Sequence, residues 1–141
     1  MDRIPEMARW LVTIMCACGV AAEPRLDYGY FVKRVQPVFA RKRAGSGRCV
    51  DCHARESNSA AFRLQPPDAN GAWTEEQSRR NFENAVNLVT PRAPLKSRLL
   101  THPLAAEAGG DEFHTGGKFW KSRKDPEWQA LARWVRGARL P

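Results

Sequence analysis

Cys49-Val50-Asp51-Cys52-His53 is the stretch of this chain whose residue types and spacing best suit chemistry. The C-x-x-C-H pattern attaches a haem of the c type. Two thiols three positions apart reach the two vinyl groups of one porphyrin, and the adjoining imidazole of His53 comes under the iron as its proximal ligand. Two other chemistries use a cysteine pair. A thioredoxin-like dithiol or disulfide wants a βαβ setting and a helix starting at the first cysteine, whereas Ala44-Gly45-Ser46-Gly47-Arg48 precedes Cys49 here. A zinc site needs a third and fourth ligand, for which only His102 and His114 are at hand. The expectation is one haem c, covalent through Cys49 and Cys52.

The sixth position on such an iron depends on what precedes the domain. Residues 1–22 carry Arg3 and Arg9, then a 13-residue apolar stretch from Trp10 to Ala22 that closes on Val20-Ala21-Ala22. That order resembles a secretory signal peptide, and the stretch is shorter than the roughly 20 residues a membrane-spanning helix needs. Asp2 and Glu6 offset the two arginines, so a retained N-terminal helix or anchor is the other reading. Removal would take Cys16, Cys18 and all three methionines, and would leave the charge at +8. The expected division is 1–22 as signal peptide or N-terminal anchor and 23–141 as one domain. The protein is expected to be exported, periplasmic in a bacterium, with membrane association through residues 1–22 if they stay.

Methionine, the common partner of histidine in high-potential c cytochromes, is then absent from the domain. His102, His114, a lysine or an open site remain. His114 lies among Gly109, Gly110, Gly116 and Gly117, where backbone can come close to a flat cofactor without Cβ clashes, and it is the preferred ligand. His102, after an apolar pair and before Pro103, also reads as a half-buried histidine with a local hydrogen bond.

The elements that must position these residues are helical. Phe31, Val35, Val38 and Phe39 share one face of a helix over 30–39, in which Pro37 removes a donor and forces a kink or restart. Thr74-Glu75-Glu76-Gln77 matches a capping box ahead of an apolar stripe from Phe82 to Val89, ended by Pro91 and Pro94. Asp125 and Pro126 open a last helix with Trp128, Leu131, Ala132 and Val135 inward and Gly137 as its stop. No alternating β pattern is sustained. Segments 40–48, 54–73 and 91–125 read as loops, unusually long for a domain of this size unless a cofactor supplies its centre. Trp73, Trp120, Trp128 and Trp134 read as core or cofactor-packing residues.

These motifs together resemble the single-haem c-type cytochrome domains of the planctomycete type over roughly residues 29–137. The resemblance runs through Val35-Gln36-Pro37-Val38-Phe39, Cys49 to His53, Phe62-Arg63-Leu64, Pro94 to Leu100, His114-Thr115-Gly116-Gly117 and Trp128 to Val135. It implies an all-α, cytochrome c-like fold, three to five short helices and long loops around one haem, with the terminal helices crossing. It also places His114, and not His102, where relatives with an HGGG-like stretch offer a histidine ligand.

A haem between two histidines leaves no open position, so the expected function is one-electron exchange at a lower potential than His/Met ligation gives. An accessory haem subunit of a larger respiratory or photosynthetic complex is a second reading. A peroxidase-like enzyme with an open iron site, using Arg48 or Glu112, is a third. With 23 Lys and Arg against 15 Asp and Glu, the chain is basic, and Lys33, Arg34, Arg41, Lys42, Arg43, Arg48, Lys118, Lys121, Arg123 and Lys124 flank both haem-bearing segments. They suit an acidic or membrane-bound redox protein as partner. No nucleic-acid recognition motif is present.

Overall fold

The structure, a computed structural model, describes residues 25–57 and 61–141. The reading of residues 1–22 lies outside the described residues. Helix α1 (28–40) opens where Asp27 Oδ1 accepts the Tyr30 N–H. It changes register inside: Tyr28–Tyr30 is α-helical, Phe31–Val35 winds as a π-helix, and Gln36–Ala40 is α-helical again. Pro37 has no N–H to return to the preceding turn, and the helix restarts with that proline in its first turn.

Then follow α2 (Cys49–His53), α3 (Glu75–Val86), α4 (Arg98–Thr101) and α5 (Pro126–Val135). Single 3-10 turns lie at Pro94–Lys96 and Ala106–Ala108. Among the described residues, β pairing is limited to two isolated bridges, Arg43 with Ser46 and Leu104 with Trp120. The fold is all-α, short helices joined by loops. Among the same residues no helix is long and apolar enough to cross a membrane.

Three expectations are corrected. A helix does start at Cys49, although among the described residues no strand accompanies it. Helix α3 ends at Val86 rather than Val89, because Leu88 and Val89 form tighter i to i−3 bonds to Ala85 and Val86, well before either proline. Segment 91–125 contains α4 and two 3-10 turns, each too short to show a period in sequence.

Helices α1 and α5 pack through aromatic rings. Phe31 meets Trp134 at 5.2 Å and Phe82 of α3 at 5.4 Å between centres. The Trp134 indole N–H donates to Asp27 O at 3.0 Å, tying the start of α1 to the end of α5. Burying a side chain such as Phe31 contributes roughly 1.5–3 kcal/mol. Trp120 and Trp128 are buried with Trp134, whereas Trp73 is half-buried and donates to Gln65 O. From this core, ring contacts run outward: Phe31 to Phe39 at 6.0 Å, Phe39 to Phe62 at 5.5 Å, Phe62 to His53 at 4.9 Å.

Candidate functional site

Helix α2 is short, and side chains fix its start. The Asp51 carboxylate accepts the Arg48 backbone N–H at 2.7 Å and Arg48 Nε at 2.9 Å, satisfying a donor that the first turn leaves open. This places Cys49 inward and Cys52 outward on the wall of one cavity of about 520 Å³. Burial pushes the Cys49 thiol up to about 11, against the opposing pull of the Arg43 guanidinium. The wall is otherwise largely apolar, with Phe39, Phe62, Leu99, Phe119, Trp120 and Leu131 contributing.

His53 closes α2. Its Nδ1 lies 2.8 Å from Phe62 O. A carbonyl only accepts, so Nδ1 carries the proton and Nε2 keeps its lone pair. Phe62 is held in place from two sides. Leu64 N–H donates to His53 O at 2.9 Å, while Asn81 and Asn84 of α3 grip Gln65 N and Arg63 O.

His114 enters the same cavity from the 109–117 loop. Its Nδ1 lies 2.5 Å from Gly117 O, which again leaves Nε2 as the basic nitrogen. Gly117 turns that carbonyl back with φ of 85°, a conformation open to glycine at little cost. Gly110 serves the loop's own packing, since a Cβ there would lie 2.0 Å from Leu104 O. Burial lowers the pKa values of both His53 and His114, only partly offset by the carbonyl contacts, which keeps both imidazoles in the neutral, lone-pair-donating form at pH 7.

The two rings lie 6.3 Å apart between centres with their planes 14° apart. Two imidazoles on one metal need a bond of ~2 Å and ~1.1 Å from nitrogen to ring centre on each side, hence ~6.2 Å. The observed separation matches that value. Among the described residues, no group of three or more His, Cys, Asp or Glu is set to hold a bare metal ion. A metal bound by these two imidazoles would take its further ligands from outside the described residues.

His102, the other candidate ligand, also lines the cavity, but its Nδ1 is 2.9 Å from Asp111 Oδ2 and its ring meets that of His114 edge-on at 4.8 Å. Lys118 Nζ donates to His102 O and to Asp111 O. His102 thus joins α4 to the loop that carries His114.

Several basic residues expected at a charged rim are engaged elsewhere. The Arg43 side chain is largely buried, bonded through Nε to Glu127 Oε2 at 2.8 Å and stacked over Phe119 at 4.8 Å. Arg41 also pairs with Glu127, and Arg48 with Asp51. Arg123 donates to Ala108 O. Glu112 is exposed and is not part of the cavity wall.

Sequence reasoning missed the Phe62 carbonyl, the Arg43–Glu127 pair, Asp111, Arg55 and Arg98. Arg55 follows His53 by two residues and offered a proximity signal, whereas a main-chain carbonyl has no sequence signature. Compared with known proteins, the chain matches no family model, no curated protein and no solved structure.

Proposed function

We propose that this chain is an exported monohaem c-type cytochrome that carries single electrons between redox partners, with His53 and His114 as the residues that would hold the iron. The single observation that carries this reading is the near-parallel, 6.3 Å pairing of His53 and His114 over a cavity that also takes in Cys49 and Cys52. In this reading the fold is cytochrome c-like, and Cys49 and Cys52 form the thioether bonds. When bound, the haem iron would supply reversible one-electron oxidation and reduction at a potential lowered by the second histidine.

The chain's own residues do the rest. Phe62 O and Gly117 O each accept from an Nδ1–H, which leaves Nε2 free to bind the metal and would raise its basicity. Phe39, Leu99, Phe119 and Leu131 line the cavity with apolar surface, and low polarity around an iron held by two histidines would favour electron exchange over ligand chemistry. Exposed lysines of the chain, Lys121 and Lys124 among them, would steer an acidic redox partner and make association faster at low salt.

The test is the intact mass and pyridine haemochrome spectrum of the full chain expressed with a periplasmic c-type maturation system. One haem that survives acid–organic extraction is the expected result. A mass equal to the polypeptide alone, with no haemochrome, would overturn the reading.

A further inference from the structure

Among the described residues, the cavity wall carries three arginines and no acidic residue. Arg48 is paired with Asp51 at 2.8 Å. Arg55 and Arg98 are exposed, and among the described residues neither guanidinium has a hydrogen-bond or ion-pair partner. Their backbones are nonetheless fixed: Arg55 N–H donates to Cys52 O just past α2, and Arg98 O accepts His102 N–H in α4. The other titratable groups on the wall are Cys49, Cys52, His53, His102 and His114.

An apolar wall with two uncompensated guanidiniums on different elements suits a flat apolar molecule whose anionic groups lie at its edge. Guanidinium matches carboxylate in geometry, offering two parallel N–H donors to two oxygens. We propose that Arg55 and Arg98 are the receptors for the carboxylates of the molecule held in this cavity. The inference rests on the haem reading above and assigns these arginines to the two propionates. Because neither arginine has a carboxylate partner of its own, the pairing breaks no existing ion pair.

The experiment uses the haem-loaded full chain as wild type, Arg55→Leu/Arg98→Leu and Arg55→Lys/Arg98→Lys, with Lys33→Leu as a charge control. Each is treated with a carbodiimide and glycine ethyl ester, and amidation of the haem carboxylates is read from the mass of the haem peptide containing Cys49 to His53. The leucine pair should be amidated about tenfold faster than wild type, the lysine pair by an intermediate factor, and Lys33→Leu at the wild-type rate. The midpoint potential of the leucine pair should also fall, since removing positive charge favours the oxidised iron. Equal amidation rates in all four haem-loaded proteins would overturn the assignment and leave the haem reading standing. So would a faster rate in Lys33→Leu, or a change confined to the rate of oxidation by ferricyanide, which would make the arginines a docking surface. Absence of haem from the wild type would overturn the underlying reading and this one with it.

Discussion

His53 and His114 present their imidazoles to each other across one cavity, 6.3 Å between centres and 14° between planes, although 61 positions of sequence separate them. Each is oriented by a main-chain carbonyl, Phe62 O for one and Gly117 O for the other. Neither carbonyl depends on the other ring, so each imidazole is oriented independently, one at the end of α2 and one in the 109–117 loop.

The first prediction follows from that independence. His114→Ala in the haem-loaded protein should convert a low-spin, six-coordinate spectrum to high spin and admit carbon monoxide. His102→Ala should leave the spectrum low-spin, because the ring paired near-parallel with His53 is that of His114, with the His102 ring edge-on beside it. The reverse pattern would make His102 the ligand and remove His114 from the site.

A second prediction concerns attachment. Cys49→Ser and Cys52→Ser each leave one thiol able to form a thioether. Each single variant should retain haem with one bond, and the double variant should lose it to acid–organic extraction. Haem that stays covalently bound in the double variant would place the attachment elsewhere.

The Arg43–Glu127 pair gives a third. Both side chains are largely buried, at 12% and 13% exposure, and the pair ties the loop ahead of Cys49 to α5. Trp120 Nε1 adds a third donor to the same carboxylate at 3.1 Å. Glu127→Ala leaves the guanidinium with only the Arg41 and Val38 carbonyls, and removing one partner of a buried pair costs about 3–5 kcal/mol. The residual exposure puts this pair at the lower end of that range. Urea unfolding of the wild type and variant at matched haem content measures it, and a loss below about 1 kcal/mol would mean that water compensates Arg43.

How much of this was legible in sequence depends on how local each signal is. Asp125-Pro126 and Gly137 mark α5 at both ends because caps and stops act within a turn, and Gly137 indeed has φ of 91°. Thr74 and Gln77 form the expected capping box. The motif from Cys49 to His53 and the candidacy of His102 and His114 were readable from residue types and spacing. What holds them was not. Phe62 O contributes through its backbone, and Asp111 reaches His102 only because Gly110 lets the loop fold tightly against Leu104. Arg43 looks like any of its basic neighbours until Glu127, 84 positions on, draws it inward.

The last prediction turns on Cys49. Burial raises its thiol from the ordinary 9.0 to about 11, so in the haem-free chain the unfolded state ionises first as pH rises. Between pH 9 and 11 the folded state therefore binds more protons than the unfolded one, and stability present below pH 9 is lost across that window. A rise of that size corresponds to about 1–3 kcal/mol. Urea midpoints of the haem-free chain should fall over this range, and Cys49→Ala should flatten the fall. In the haem-loaded protein the sulfur is a thioether with no proton to lose, so the same limb should be missing there as well. A limb of equal depth in the haem-loaded and haem-free proteins would show that Cys49 keeps its thiol, and that the attachment proposed for it is wrong.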